Sequence, residues 1–214
     1  MIRSRKDPPP TLEEENALLA RGCRFIAGVD EVGRGPLAGL VMAAAVILPL
    51  DNELPWLCKV RDSKQLTPKQ REELCRDIRR DALAVATGKV CVREIDALGI
   101  AEAARIAMEL AIQTLPLKPD YLLIDGFPLP QVPIPQKAII KGDSRCLSIA
   151  AASIVAKVAR DSIMVEMDVR YPGYGFAQNK GYGTESHLLT LRERGPCPIH
   201  RRSFAPVYLL EKGA

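Results

Sequence analysis

The stretch Arg24-Phe25-Ile26-Ala27-Gly28-Val29-Asp30-Glu31-Val32-Gly33-Arg34-Gly35-Pro36 decides how this chain is read. Residues 24–30 form an apolar strand that leads into Asp30, and Gly33-Arg34-Gly35-Pro36 breaks it. Met42 to Leu48 resumes as a second apolar strand, and the short gap between the two predicts antiparallel pairing. Two adjacent acids directly after a buried strand gain nothing structurally, so Asp30 and Glu31 are the first candidates for a functional site. Alternation sends neighbouring strand side chains to opposite faces. Both acids therefore serve one site only if the strand ends or twists at Asp30.

Working outward, Thr11 is expected to cap a short helix that carries Glu13, Glu14 and Glu15 in its first turn, after a tail ending in Pro8-Pro9-Pro10. Thr67-Pro68-Lys69-Gln70 has the order of a capping box with proline at the first helical position. Residues 83–93 read as a third strand and 100–115 as an Ala-rich helix. Tyr121 to Ile124 is a buried strand that ends at Asp125-Gly126, and Gln136 to Ile140 is a further short strand. Ser144 to Arg170 is the longest helix, with Leu147, Ala151, Ile154, Val158 and Val165 at helical spacing and a small-residue start that permits close packing on a sheet. A glycine-rich loop, 172–183, precedes a last helix begun at Thr184 and stopped at Gly195. Strands come first with short connections and helices cross over later. That order points to an α/β fold with a mixed sheet flanked by helices.

At 214 residues, with 47% apolar residues, the chain is long enough for one sizeable domain that buries its own core. The formal charge of +4 is mild, but basic residues cluster at Arg3, Arg5 and Lys6 and again at Arg192, Arg194, Arg201, Arg202 and Lys212, as a solvated surface or as contacts to phosphates. The six cysteines lack CxxC spacing and read as free thiols of a reducing compartment rather than disulfides or zinc ligands. With no signal peptide and no apolar run long enough to span a bilayer, the cytosol is the expected location.

Asp125 and Asp143 join the acidic pair because each lies where a strand ends or a helix begins, the positions that gather at the ligand crevice of an α/β sheet. Asp143 reads equally as a helix cap and Asp125-Gly126 as an ordinary turn. Carboxylates converging there would repel one another unless a cation held them, and oxygen ligands without His or Cys select Mg²⁺ or Mn²⁺. Two such ions about 3.5–4 Å apart activate a water and stabilise a leaving oxygen. Gly33-Arg34-Gly35 brings backbone close to whatever the acids bind or is a plain turn between strands; Lys64, and Lys141, Arg145 and Lys157 around Asp143, offer phosphate contacts or stay on the surface; and Tyr182, between Gly181 and Gly183, can stack on a base or sugar or pack on the core. No nucleotide-cofactor fingerprint occurs.

The ordered set Gly28-Val29-Asp30-Glu31-Val32-Gly33-Arg34-Gly35, Asp62-Ser63-Lys64-Gln65-Leu66, Ile124-Asp125-Gly126, Lys141-Gly142-Asp143-Ser144, 150–161, Tyr171-Pro172-Gly173-Tyr174, Lys180-Gly181-Tyr182-Gly183-Thr184 and His200-Arg201-Arg202-Ser203-Phe204 resembles bacterial ribonuclease HII over roughly residues 24–208. The resemblance implies a ribonuclease H-like fold with a small C-terminal helical portion. It implies an endonuclease that cuts the RNA strand of RNA–DNA hybrids and the 5′ side of ribonucleotides embedded in DNA, leaving 3′-hydroxyl and 5′-phosphate ends. It assigns metal binding and catalysis to Asp30, Glu31, Asp125 and Asp143, ribose contacts to Gly33, Arg34 and Gly35, phosphate contacts to Ser63 and Lys64, and the RNA–DNA junction to Tyr182. Asp161 belongs to a matched stretch but reads as structural, being carried far from Asp143 along one helix.

The resulting division is an N-terminal tail and short helix over 1–22, a catalytic domain over 23–183 and a C-terminal helical portion over 184–214 that completes the substrate site. A monomer is expected, and no sliding-clamp motif follows Phe204. The competing functions are a non-catalytic hybrid-binding protein, which would not need the clustered acids, and another nuclease of the same fold such as a resolvase or integrase, which a branched-DNA substrate would reveal.

Overall fold

The computed structural model describes residues 8–50 and 54–212. The basic cluster at Arg3, Arg5 and Lys6 lies outside the described residues. Five strands form one mixed sheet in the order β3-β2-β1-β4-β5: β1 (Ile26–Val32), β2 (Val41–Ile47), β3 (Ala84–Val90), β4 (Tyr121–Asp125) and β5 (Gln136–Ile139). As the short connection predicted, β1 pairs antiparallel with β2, and β2 pairs likewise with β3. On its other side β1 pairs parallel with β4, which pairs parallel with β5.

Helices cover both faces, so the central strands are buried on both sides and read as continuous apolar runs. On one face α3 (Val92–Leu98) and α4 (Ile100–Gln113) cover the sheet, with Ala103, Ala107 and Met108 against Ala27, Val29, Ala43 and Ile124. On the other face lie α1 (Glu13–Leu19), α2 (Pro68–Asp81) and α5 (Leu147–Arg170), whose small residues Ala150, Ala151 and Ala152 pack with Ala44 and Val46. The approach of α5 to β1 is close enough that a Cβ on Gly28 would lie 2.1 Å from the Ser148 carbonyl carbon. The helices α6 (Phe176–Asn179), α7 (Glu185–Arg194) and α8 (Ala205–Lys212) follow, with Phe176 packing on Met164 of α5 and Leu191 on Val207. Among the described residues, no helix is long and apolar enough to cross a membrane.

Local chemistry explains most element ends. The Thr67 hydroxyl accepts from the Gln70 N–H and the Gln70 side chain accepts from the Thr67 N–H, the capping box expected for α2. Thr184 accepts from the His187 N–H and starts α7. Several expectations change. The glycine-rich loop 172–183 contains α6, and α8 follows the helix begun at Thr184, which is therefore not the last. The third strand stops at Val90, because Cys91 and Glu94 begin α3, where the Glu94 carboxylate accepts from the Cys91 N–H. The long helix begins at Leu147 rather than Ser144, since residues 142–144 form a separate 3-10 turn. Thr11 does not cap α1 as its N-cap residue; its backbone pairs with the chain around Cys146.

That pairing ties α1 to the start of α5. Glu15 is fully buried, and its Oε1 accepts from the Ser148 N–H at 2.8 Å and from the Cys146 thiol at 3.1 Å. A carboxylate from a distant helix thus satisfies one of the free N–H groups at the positive end of α5.

Candidate active site

The acids meet at one end of β1 and β4. Asp30 pairs with Ala44 across β2, is only 5% exposed, and accepts from the Glu31 N–H at 2.8 Å. Asp125 is the last residue of β4, and its Oδ1 accepts from the Gly142 N–H at 2.6 Å. One carboxylate oxygen each from Asp30, Glu31 and Asp125 lies within 4.8 Å of the others.

Glu31 reaches the same place because of where β4 ends. The strand neither ends nor leaves its ladder at Asp30, for Glu31 and Val32 still pair with Ala43 and Met42. What ends is the neighbour: the β1–β4 ladder stops at Val29 and Ile124, one residue short of both acids. Past that point no strand walls off the Asp125 side of Glu31, and its side chain joins the cluster although the strand continues.

Asp143 lies in the 3-10 turn 142–144, is buried, and accepts from Lys64 Nζ at 3.4 Å. The N-cap residues of that turn and of α5 are Lys141 and Cys146, and neither makes a side-chain cap hydrogen bond. Asp143 stands beside the triad rather than within the mutual 4.8 Å, but its charge acts on both Asp30 and Asp125.

Electrostatics make the cluster a candidate cation site. Burial, and then the charges of Glu31 and Asp125, push the Asp30 carboxyl well above the usual carboxylate range. Burial also raises Glu31, against the lowering effect of Arg34, and raises Asp125, against the Gly142 N–H. Arg34 donates to Glu31 Oε1 at 3.2 Å, whereas Glu31 Oε2 is buried with no hydrogen-bond partner. A buried, unpartnered carboxylate oxygen beside two more carboxylates is what a divalent ion would satisfy, and the all-oxygen donor set fits Mg²⁺ or Mn²⁺.

The remaining candidates surround this centre. Gly33 has φ +93, and Gly35 lies against Tyr182, whose Cε1 would be 3.8 Å from a Cβ there. Tyr182 is 41% exposed, and the Lys157 ammonium sits 5.8 Å over its ring. Lys157 also pairs with Asp161 at 2.7 Å. Lys64 is exposed at the rim, whereas Ser63 is buried with its hydroxyl 3.0 Å from that of Ser153 on α5. Ser153 in turn lies beside Asp30, where its hydroxyl counters part of the rise that burial imposes on that carboxyl. Sequence reasoning missed Ser153, which has no signal beyond its place in a run of small residues. An open groove of about 1000 Å³ between α2, α5 and α6 reaches the site at Tyr182 and Lys157, with Arg76 and Arg79 among the cations lining it.

The Ribonuclease HII family profile matches residues 27–207. A ribonuclease HII from Desulfitobacterium hafniense is 54% identical over 196 residues, covering 92% of this chain and 74% of that protein. One from Dehalococcoides mccartyi is 50% identical over 198 residues, covering 92% of this chain and 94% of its own. Among solved structures, the ribonuclease H2 of Pyrococcus horikoshii superposes with a TM-score of 0.75 at 27% identity, covering 88% of this chain and 97% of that one.

Proposed function

This chain belongs to the ribonuclease HII family, and from that premise we propose that it cuts the RNA strand of RNA–DNA hybrids and the 5′ side of ribonucleotides embedded in duplex DNA, acting as a monomer. It is a metal-dependent endonuclease with ribonuclease H activity. The observation that carries the finer reading is the convergence of Asp30, Glu31 and Asp125 within 4.8 Å, with Glu31 Oε2 unpartnered.

In this reading Asp30, Glu31, Asp125 and Asp143 hold two Mg²⁺ or Mn²⁺ ions. When bound, the ions supply an activated water and charge stabilisation for in-line hydrolysis that leaves 3′-hydroxyl and 5′-phosphate ends. The protein groups do the rest. Asp30 is oriented by the Glu31 N–H and by Ser153, which Ser63 supports from behind. The Gly142 N–H fixes Asp125, and Lys64 stands at the rim beside Asp143, where it meets a phosphate. The backbone of Gly33, Arg34 and Gly35 tests for the ribose 2′-hydroxyl, the group that distinguishes RNA from DNA. Tyr182, against Gly35, stacks at the RNA–DNA junction. The helices that follow residue 183 complete the substrate site by supporting the loop that carries Tyr182.

The test is cleavage of a duplex bearing one ribonucleotide, with Mg²⁺ or Mn²⁺, beside an all-DNA control of the same sequence. A single cut 5′ to the ribonucleotide is expected; equal cutting of both duplexes, or of neither, would sink the proposal.

A further inference from the structure

Two arginines of the matched stretches have no part in the site as described so far. Arg160, on α5, and Arg201, after α7, are both fully buried. Such residues are almost always paired with acids. Here every hydrogen-bond partner of either side chain among the described residues is a backbone carbonyl. Arg201 donates to Gly33, Arg34, Gly39 and Leu40. Arg160 donates to Ala38 and Leu40, and also to Lys180 beside the Tyr182 loop. Its guanidinium lies across Gly33, where a Cβ would come within 2.3 Å of Nε.

All but one of these carbonyls lie in the eight-residue link between β1 and β2. Leu37 and Ala38 anchor the later half of that link in two small apolar clusters, whereas Gly33 and Gly35 bring no side chain to pack. Leu37 and Gly39 donate from it to Gly181 and Ile199, and Arg201 donates its own N–H to Leu37. Two rigid cationic forks thus hold the glycine end of the link, which has no side-chain anchor of its own. Burial, and the like charge of Arg160, lower Arg201 to about 9, which keeps it protonated at neutral pH.

We propose that Arg160 and Arg201 are specificity-determining positioning residues: by gripping the carbonyls of residues 33–40 from inside, they hold the Gly33–Gly35 backbone in the one conformation that recognises a ribose 2′-hydroxyl. The inference rests on the reading that Gly33–Gly35 contacts the ribose. Its physical basis is that a site rejects a substrate lacking a hydroxyl only when its own polar group is left unpaired, and a mobile backbone would turn to another partner. Neither arginine touches substrate, and the effect passes through the backbone they bind.

The experiment measures the affinity of the full chain, with Ca²⁺ in place of Mg²⁺, for a duplex bearing one ribonucleotide and for its all-deoxy counterpart. Arg201→Lys and Arg160→Lys keep the charge and lose the fork. In each folded variant the preference for the ribonucleotide duplex is expected to fall by about tenfold or more, which is about 1.4 kcal/mol, with all-deoxy affinity unchanged. A preference that survives, or a parallel loss of both affinities, overturns the proposal. Hydrogen exchange in the wild-type chain gives a second way to overturn the grip even if both variants fail to fold. The Leu37 and Gly39 amides should exchange as slowly as those of β1, and fast local exchange there overturns the grip. If the wild-type chain itself shows no ribonucleotide preference, the proposed function falls and takes this inference with it. If the wild-type chain shows the preference and the variants keep it, this inference falls alone.

Discussion

Replacing Asp30 by Asn should make the protein more stable and at the same time inactive. The amide keeps the acceptor for the Glu31 N–H and loses only the charge. That charge sits within 4.8 Å of oxygens of both Glu31 and Asp125. At an effective dielectric of about 20, two unit charges at that separation repel by about 3.5 kcal/mol. Partial protonation and Arg34 relieve some of this, since Arg34 neutralises part of Glu31. A net gain of about 2 kcal/mol remains as the expectation in metal-free buffer, or about 4–8 °C in melting temperature for a chain of this size. Metal should reverse the order. An ion at 100 times its dissociation constant adds about 2.7 kcal/mol to the wild-type protein and much less to a variant that has lost a ligand. The sign with pH follows from the raised Asp30 carboxyl. Its contribution is full below 3.8 and is lost as pH rises through its higher folded value, so wild-type melts in EDTA should fall with pH more steeply than those of the variant. Calorimetry in EDTA and in Mn²⁺, beside a cleavage assay, reads all of this. An Asp30→Asn protein that melts no higher than wild type in EDTA, or gains as much from Mn²⁺, would refute the electrostatic reasoning.

Burial and the neighbouring His187 lower His200 to about 4, so its contribution is full above 6.5 and is lost as pH falls from there toward 4. The gap corresponds to about 3 kcal/mol, and acid titration of His200→Gln should lack this loss; an unchanged acid limb would count against it. Gly28→Ala should cost several kcal/mol, because the new methyl meets the Ser148 and Ile149 backbone at 2.1–2.4 Å and neither side can yield; a melting point near wild type would contradict the close approach. Arg76→Glu with Arg79→Glu should weaken binding of ribonucleotide and all-deoxy duplexes equally and lower the salt slope by about 2, provided the groove follows the phosphate backbone. An unaltered slope would place the duplex elsewhere.

The sheet, its mixed pairing and the carboxylates were readable in the sequence because each depends on local pattern: apolar runs, a short link, acids at strand ends. What was not readable depends on distant geometry. The apparent conflict at Glu31 came from judging β1 alone, when the length of β4 decides whether the two faces stay apart. The extra turns of α3 were hidden because residues 83–93 carry strand-forming types up to Cys91, and only the Glu94 cap marks the change. Arg201 was counted with the basic surface, since a charge satisfied by carbonyls some 160 residues away leaves no trace in its own neighbourhood. Ser63 was expected at a phosphate, and its inward hydroxyl appears only once α5 is in place.

The contact between Glu15 and the start of α5 bears on the order in which the molecule is made. Helix α1 is synthesised early, but the groups that receive its buried carboxylate, Cys146 and Ser148, come 131 and 133 residues later. Until then the carboxylate has only water for a partner, and seven residues cannot sustain a helix unaided. Docking of α1 must close a loop through nearly the whole sheet, an entropic cost met only when that sheet exists. The first helix of the chain is therefore among the last to be fixed, and refolding kinetics of Glu15→Gln should show faster unfolding with an almost unchanged folding rate.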